Sequence, residues 1–216
     1  MTSRPAPSPD APWEALSIPA VADLFRDSGV RWWLSGGAAL EHWLGRTIRE
    51  RDNVDVSTVA GDLPALLATL PSSLSAWAEL AGDLVPVDEV PVNADVQLVD
   101  VFDDERGAWV LRVHAEDGAP KAWLYRRDPR LQLVWDKAVL DVDGVPTGAP
   151  VVQLVWKALR PRPVDEVDKD AVLPELSEED RAWWERAMLS IHPHSTWAIH
   201  VRSPFAPAKA SWNRNR

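Results

Sequence analysis

The segment from Leu34 to Val56 of this 216-residue chain carries the residues best suited to chemistry. A glycine pair, Gly36-Gly37, follows a short apolar run and removes the Cβ atoms that would keep a ligand away from the backbone. If a helix begins directly after the pair, its first N–H groups form a site that suits phosphate. The alternative is that the pair makes only a tight turn between a strand and a helix.

Asn53 and Asp55, near the end of this segment, are spaced to share one face of a strand, because side chains at positions i and i+2 point the same way. Carboxylates so placed hold Mg²⁺ against a triphosphate. Asn53 offers only an uncharged amide oxygen, so it fits a cleft-lining role better than that of a working ligand. Asp52 points to the opposite face unless a bulge re-aims it. Asp55 is either a metal ligand or a surface carboxylate.

A third acid, Asp100, stands between Val99 and Val101 in a run that alternates like a strand. An acid in such a position needs a partner, since burying an unpaired charge is costly. It would serve as a metal ligand or as the base that takes the proton of an acceptor hydroxyl. The sequence leaves open whether a metal site is weakened by Asn53, rebuilt around Asp55 and Asp100, or lost.

Three cationic side chains are candidates for contact with phosphate groups. Arg46 and Arg49 flank the approach to the Asn53 strand, and a guanidinium fits phosphate oxygens well. Both are equally well explained as solvated surface charges. Lys157 lies beside Trp156 on an apolar helical stretch, where it either extends to solvent or contacts a nucleotide from the second half of the chain.

The apolar spacing predicts an α+β core followed by helices. Helices are expected over 18–28, 38–44 and 63–70, and strands over 30–35, 54–59, 95–102, 108–114 and 121–125. Turns are expected at Glu116-Asp117-Gly118 and within 141–145, and the stretch 72–92 is ambiguous. After Pro146 to Pro150 the pattern is helical over 151–159, over 165–173 and from Ser177 onward. We therefore divide the chain into a disordered leader (1–12), a core (13–147), a helical domain (148–202) and a loose tail (203–216).

Composition excludes several classes of protein. A net charge of −10 disfavours nucleic acid and anionic membranes as partners and favours cationic ligands. The absence of cysteine excludes disulfides and leaves a cytoplasmic location unopposed. The thirteen tryptophans are expected mainly in the core, with a few in a ligand cleft. No hydrolase or zinc motif is present, and His192-Pro193-His194 suits a helix end and turn.

Several motifs, in this order along the chain, resemble the aminoglycoside nucleotidyltransferases, which are adenylyltransferases. The first are Gly36-Gly37-x-Ala39-Leu40, Leu44-Gly45-Arg46-x-x-Arg49-Glu50 and the acidic strand with Asp55. The likeness continues through Trp123 to Arg130, Ala149 to Ala158, Pro161 to Asp168 and Ala171 to Pro174. It extends over about residues 13–200, and the ordered series is far more specific than a glycine pair alone.

This resemblance implies a nucleotidyltransferase-fold mixed sheet of the polymerase-β type, with flanking helices and a small C-terminal helical domain. In that family the glycine pair holds a triphosphate, an Asp-x-Asp strand binds Mg²⁺ and a third carboxylate lies on a later strand. The implied cofactors are Mg²⁺ and a nucleoside triphosphate, with ATP favoured as co-substrate. The implied nucleotide site consists of Ser35, Gly36, Gly37, Arg46, Arg49 and Lys157. The implied metal ligands are Asn53, Asp55 and Asp100, with Asp55 and Asp100 as the catalytic residues.

The implied activity is transfer of a nucleotidyl group to a hydroxyl of a small cationic acceptor, as in antibiotic resistance. The acids Asp103, Asp104 and Glu105 would attract such an acceptor. One alternative is a catalytically impaired protein that binds nucleotide or a small molecule, because Asn53 replaces an expected acid. Another is a nucleotidyltransferase toxin that modifies RNA or protein, although the acidic balance argues against RNA. The sequence does not fix the acceptor, the preferred base or the oligomeric state.

Overall fold

The computed structural model describes residues 5–91 and 95–202, which form a mixed β-sheet covered by helices, so the predicted α+β class is confirmed. The strands are β1 (Trp32–Ser35), β2 (Asp55–Val59), β3 (Leu74–Leu80), β4 (Asp83–Pro86), β5 (Leu98–Asp103), β6 (Ala108–Ala119), β7 (Ala122–Leu124), β8 (Gln132–Val134), β9 (Val139–Val142) and β10 (Val145–Gly148). The helices are α1 (Ile18–Phe25), α2 (Gly36–Leu44), α3 (Leu63–Leu67), α4 (Trp135–Ala138), α5 (Pro150–Lys157), α6 (Pro163–Val172), α7 (Glu178–Ile191) and α8 (Thr196–Arg202).

The strands adjoin in the order β4-β3-β5-β6-β2-β1-β10-β9, while β7 pairs with the end of β6 and β8 pairs with β7. The pairs β1–β10 and β2–β6 are parallel, and the remaining pairs are antiparallel. Strand β6 therefore lies between β5 and β2, the two strands on which the sequence places the candidate acids. Any side chain of β6 on the same face stands between those acids.

Two apolar layers cover the two faces of the sheet, and β1 contributes to both. Trp32 and Leu34 belong to the layer that contains the buried side chains of α1 and α3. Trp33, between them, belongs to the opposite layer with α5 and α7. A strand covered on both faces is apolar at successive positions, which explains the run Trp-Trp-Leu.

Helix α2 begins at Gly36, directly after β1 and two residues before the predicted start at Ala38. Gly36 has φ +60°, in the left-handed region that favours glycine, so the chain turns from strand to helix without a loop. Gly45 ends the helix with φ +65°, and its N–H donates to the carbonyl of His42 over 3.2 Å. The first turn of α2 is thereby fixed at the end of β1, beside β2.

The largest error of the sequence prediction concerns β6. The strand runs through Glu116 to Gly118, so the turn predicted there is wrong, and the chain reverses after Ala119. Polar residues in this stretch suggested an exposed turn, but Glu116 is buried and paired. Its Oε2 accepts the indole N–H groups of Trp123 (2.6 Å) and Trp156 (3.0 Å). The ambiguous stretch 72–92 contains the β3–β4 hairpin.

The helical half follows β10 after a single residue, Ala149. Ser177 begins α7 as predicted, and its Oγ accepts the N–H of Asp180 over 3.1 Å. His192 ends α7 as predicted, and it is followed by α8, a helix that the sequence pattern did not predict. Helix α2 of the predicted core contacts both β10 and α5, the first helix of the predicted helical domain. The division into two domains therefore stays a prediction.

The two predicted terminal segments lie largely outside the description. Residues 1–4 and the tail 203–216 are outside the described residues. Within 5–12, the carbonyl of Pro12 accepts the backbone N–H of Trp109 over 2.8 Å. No helix in the described ranges is long and apolar enough to cross a bilayer.

Trp33 tests the packing of the sheet against the helical half. It is fully buried, and its ring centroid lies 5.6 Å from that of Trp135. Trp33→Ala should lower the free energy of unfolding by about 3–5 kcal/mol because it leaves a cavity, as measured by urea denaturation. Val134→Ala, at a residue that is 54% exposed, should change it by less than about 0.5 kcal/mol. Equal effects of the two substitutions would contradict this packing.

Candidate active site

The two glycines that begin α2 make room for side chains of the chain itself. A Cβ on Gly36 would lie 2.6 Å from Asp55 Oδ2, and a Cβ on Gly37 would lie 1.7 Å from Arg51 Nη1. The N–H of Gly36 donates to Gln153 Oε1 over 2.7 Å. At the glycine pair, α2 is therefore in contact with β2, with the connection that precedes β2 and with α5.

The next residues of α2 offer hydrogen-bond donors to a ligand. Gly37 and Ala38 line a pocket of about 340 Å³. N–H groups in the first turn of a helix have no acceptor within the helix, and the helix dipole places partial positive charge there. Ser35, just before the helix, also has a buried hydroxyl that finds no hydrogen-bond partner among the described residues. This end of α2 is suited to an anion.

Asp55 stands at the start of β2 and borders two cavities. Asn53 Nδ2 donates to Asp55 Oδ1 over 2.8 Å, and His114 Nε2 lies 3.5 Å from the same oxygen. The structure thus brings Asn53 and Asp55 together beside Gly36. Asn53 presents its NH₂ group to the acid, so its amide does not act as a second oxygen ligand next to Asp55.

Asp100 lies on the same face of the sheet as Asp55 but two strands away. Arg112 of β6 is in register with both acids. Neighbouring strands are about 4.8 Å apart, so the Cα atoms of the two acids are roughly 10 Å apart. The Arg112 guanidinium binds Asp100 through two contacts, Nε to Oδ1 at 2.7 Å and Nη2 to Oδ2 at 2.9 Å. Both oxygens of Asp100 are therefore engaged by a cation of the chain.

These residues do not make a set that suits Mg²⁺. The ion takes oxygen ligands at about 2.1 Å in octahedral geometry. Of the three predicted ligands, only Asp55 keeps a carboxylate that is not paired with an arginine, and the positive charge of Arg112 stands between Asp55 and Asp100. Within residues 5–91 and 95–202, no group of three or more His, Asp or Glu side chains is arranged to hold a metal. The ligand assignment of Asn53, Asp55 and Asp100 thus gains no support from the geometry.

The pocket at the start of α2 is mainly cationic. Its lining includes two carboxylates, Asp52 and Asp55. Its lining also includes five cationic side chains, those of Arg49, Arg51, Arg112, Lys157 and Arg162. Each of these cations is also paired with a carboxylate, that of Asp168, Asp165, Asp100 or Glu41, so the pocket offers cationic hydrogen-bond donors without a large excess of charge. Guanidinium groups bind phosphate oxygens through two N–H donors at once. The structure therefore places Arg49 and Lys157 in one pocket, together with three cations that the sequence analysis missed.

Two buried acids of α6 hold three of these cations in position, namely Arg49, Arg51 and Lys157. Asp168, which has no exposed side-chain surface, contacts Arg49 Nε at 3.1 Å, Arg51 Nη2 at 3.0 Å and Lys157 Nζ at 3.0 Å. Asp165 accepts from Lys157 Nζ over 2.8 Å. The cations come from the connection before β2 and from α5, so α6 links the two halves of the chain. We call these five side chains the ionic cluster.

Both acids of the ionic cluster stay charged over a wide pH range. Burial raises the pKa of Asp168, but its contacts with Lys157, Arg49 and Arg51 outweigh burial and leave the pKa below its ordinary value. For Asp165 burial again raises the pKa, and hydrogen bonds from cationic neighbours outweigh it, so the net shift is downward. A carboxyl whose pKa is lower in the folded state stabilises the fold above its unfolded pKa of about 4, and that stability is lost as the pH falls.

A larger cavity of about 510 Å³ adjoins the cationic pocket, and Asp55 borders both. One part of its wall is formed by Glu116, which is 5% exposed, and by the indole of Trp156. A carboxylate next to an aromatic face suits an organic cation. Two arginines, Arg126 and Arg160, also line the cavity, and Arg126 pairs with Asp95 and Asp117.

The structure does not bring every predicted residue to these cavities. Arg46 is exposed beyond the C-terminal end of α2, roughly 14 Å along the helix from Gly36. Residues 103–105 form the β5–β6 turn, where Asp103 Oδ1 accepts the N–H groups of Glu105 and Arg106 over 3.0 Å each. Neither Arg46 nor the turn is part of the lining of either cavity.

The sequence analysis also missed the polar face of β6. Arg112, His114 and Glu116 occur at every second position of an otherwise apolar strand, and all three line one or both cavities. Period-two polarity on a buried strand could have revealed them, because such side chains share one face. Gln153 and Trp156 gave no comparable signal, since α5 contains buried side chains all along its length.

The cleft combines a helix that begins at a glycine directly after β1, an acid at the start of β2 and cationic side chains next to the C-terminal helices. Residues 17–105 of the chain match the family model described as aminoglycoside-2''-adenylyltransferase. The matched part is less than half of the chain and includes Gly36, Gly37, Asn53, Asp55 and Asp100. The match confirms the resemblance to the aminoglycoside nucleotidyltransferases that the motifs predicted.

Solved structures give weaker similarities. The solution structure of the antibiotic-resistance factor ANT(2'')-Ia is 17% identical with a TM-score of 0.46, covering 82% of this chain and 92% of that one. The lincomycin-bound crystal structure of the lincosamide antibiotic adenylyltransferase LnuA is 17% identical with a TM-score of 0.43, covering 79% and 93%. ANT(2'')-Ia in complex with adenylyl-2''-tobramycin is 16% identical with a TM-score of 0.44, covering 78% and 93%. Comparison with curated proteins gives no match.

Gly37→Ala tests the close approach of Arg51 to α2. The added Cβ would overlap Arg51 Nη1, so we expect the guanidinium to leave Asp168 and the free energy of unfolding to fall by about 1–3 kcal/mol. Gly61→Ala is the matched control, because a Cβ there meets nothing within 4 Å. If both variants unfold at the same urea concentration as the parent, the packing of Arg51 on Gly37 is incorrect.

Asp168→Asn tests the ionic cluster. At pH 7 the substitution leaves three cations without their buried partner and should lower the free energy of unfolding by about 3 kcal/mol or more. The difference from the parent should shrink as the pH falls below about 4, because the carboxyl of the unfolded chain takes up a proton there while the folded carboxyl, whose pKa is lowered, stays charged to a lower pH. Glu179→Gln, which breaks an exposed pair with Lys137, should leave stability nearly unchanged. A stability difference that does not vary with pH would argue against a charged Asp168.

Proposed function

We propose that this chain binds a nucleoside triphosphate, ATP being favoured, and transfers its nucleotidyl group to a hydroxyl of a small cationic acceptor of the aminoglycoside type. The observation that carries the proposal is the position of Asp55, between a cationic pocket at the start of α2 and a larger cavity beside Trp156. The match of residues 17–105 to a family described as aminoglycoside adenylyltransferases supports the same reaction class.

The cationic pocket is the proposed place of the triphosphate. Its phosphate oxygens would accept hydrogen bonds from the N–H groups of the first turn of α2, at Gly37 and Ala38. Arg49 and Lys157, held by Asp168, would neutralise the remaining charge. These cations are positioned before a ligand arrives, so little ordering is needed when it binds.

The larger cavity is the proposed place of the acceptor. Glu116 supplies a buried carboxylate, and Trp156 supplies an aromatic face that attracts ammonium groups. A volume of about 510 Å³ is in the range of small-molecule sites. Because the two cavities share Asp55, a hydroxyl of the acceptor and the phosphate chain of the donor would meet beside this carboxylate.

The reaction would proceed by displacement at phosphorus. The acceptor oxygen forms a bond to the α-phosphorus, the bond from that phosphorus to the bridging oxygen breaks, and pyrophosphate leaves. The hydroxyl proton passes to the carboxylate of Asp55, and Arg49, Lys157 and Arg162 stabilise the charge of the leaving pyrophosphate. Positioning and charge neutralisation carry most of the rate in such reactions. Asp100 acts by orienting Arg112.

A second candidate function is binding of nucleotide or a small molecule without transfer. Two observations favour it: Asn53 stands where the family pattern has an acid, and Arg112 occupies both oxygens of Asp100. In that case the cavities would persist and the chemical step would be lost. If the missing charge at position 53 alone limits transfer, Asn53→Asp should raise turnover.

An assay with α-labelled ATP and a panel of aminoglycosides tests the transfer reaction. We expect pyrophosphate release that depends on an acceptor and a gain of one nucleotidyl group in the acceptor's mass. Asp55→Asn should lower turnover by about 100-fold or more, because it removes the proton acceptor. Arg130→Gln is a control, since Arg130 is exposed and pairs only with neighbouring Asp128 in the described structure.

The assay also separates the two candidates. Bound nucleotide without pyrophosphate release for any acceptor would overturn the transferase proposal and leave the binding function. Unchanged turnover in Asp55→Asn would remove Asp55 from the chemistry. Failure of the chain to bind nucleotide at all would overturn both candidates for the cationic pocket.

A further inference from the structure

We infer that the guanidinium of Arg112 takes the place of a divalent cation in this cleft, so that the chain binds the phosphate groups of a nucleotide without a metal ion. The inference rests on the proposed function, because it requires the triphosphate to lie in the cationic pocket. It concerns the source of positive charge between β2 and β5, where the family pattern calls for a metal.

The first observation is the register of the sheet. Arg112 is the Cα partner of Asp55 on one side and of Asp100 on the other. Arg112 therefore stands between the two acids on this face of the sheet, and its guanidinium is bound to Asp100. A divalent ion placed there would be repelled by the guanidinium, and the guanidinium cannot lose its proton at physiological pH.

The second observation is that Arg112 is held in one orientation while it still borders the pocket. Asp100 binds it through two contacts, and the Trp13 ring centroid lies 5.1 Å from its guanidinium carbon. The hydrogen bonds that Arg112 donates to Asp100, and to a smaller extent the charges of Asp100 and Asp55, raise the pKa of Arg112 above its ordinary value. Its side chain remains 32% exposed and lines the cationic pocket together with Gly37.

The third observation concerns Asp55, the one predicted ligand that is not paired with an arginine. Its Oδ1 accepts from Asn53 Nδ2 and lies near His114 Nε2, and its Oδ2 faces the backbone at Gly36. Asn53 therefore supplies a donor to one oxygen of this carboxylate, while the neighbouring Gly36 N–H donates to Gln153 Oε1. An arginine that only braced the sheet would have no need to border a pocket, whereas Arg112 lines the pocket at the start of α2 together with Gly37 and Ala38.

Binding of ATP with and without metal tests the inference. We would titrate the full chain with ATP in the presence of excess EDTA and again with excess MgCl₂, following tryptophan fluorescence and calorimetry. The expected dissociation constants agree within about twofold, because the positive charge belongs to the chain. In EDTA, Arg112→Gln should weaken binding by about tenfold or more. Arg112→Lys should retain part of the affinity, and Arg130→Gln should match the parent.

Binding of metal alone provides a second measurement that does not depend on the fold of the Arg112→Gln variant. Mn²⁺ bound by the parent, counted by electron paramagnetic resonance, should equal that bound by Asp55→Asn, since the cleft adds no metal site. The double variant Asn53→Asp/Arg112→Asp places acids on both sides of Asp55. It should gain a Mn²⁺ site and make ATP binding depend on metal.

The outcomes divide as follows. Equal ATP affinity in EDTA and MgCl₂, together with weakening by Arg112→Gln, supports the inference. ATP binding that requires Mg²⁺, or a Mn²⁺ site in the parent that is lost in Asp55→Asn, overturns it while the proposed function stands. If ATP binds under neither condition, both the inference and the proposed nucleotide site are wrong.

Discussion

The ionic cluster around Asp168 is the interaction on which the rest of the cleft depends. A carboxylate with no exposed surface is stable in the interior only when it is paired and hydrogen-bonded. Arg49, Arg51 and Lys157 satisfy it from two separate parts of the chain. The contacts that stabilise the buried acid also orient the cations. The stability of the fold and the geometry of the cationic pocket therefore depend on the same contacts.

The sequence predicted the elements whose pattern is local. The turn of Gly36-Gly37 into a helix, the Ser177 cap and the turn within 141–145 all depend on residues that are close in the chain, and all three are present. The fold class followed from the same patterns. The turn predicted at Glu116 failed because its polarity is explained by Trp123 and Trp156, whose contact with Glu116 depends on tertiary packing.

The sequence predicted the members of the candidate site only where they lie within a single motif. Asn53, Asp55 and the glycine pair lie within one segment, and the structure places them together. The relation of Asp100 to Asp55 depends on which strand lies between theirs, and the sequence of a single strand does not contain that information. The acids could therefore be predicted from their motifs, whereas the position of Arg112 between them depends on the order of the strands.

Gln153 ties the beginning of α2 to α5. Its Oε1 accepts the Gly36 N–H, its Nε2 is buried without a hydrogen-bond partner among the described residues, and Gly148 leaves the room that its side chain occupies. The side-chain amide of Gln153 therefore occupies the position at the start of α2 where another acceptor could bind the Gly36 N–H. An anion that accepted the Gly36 N–H would displace this amide and break the hydrogen bond that joins the start of α2 to α5.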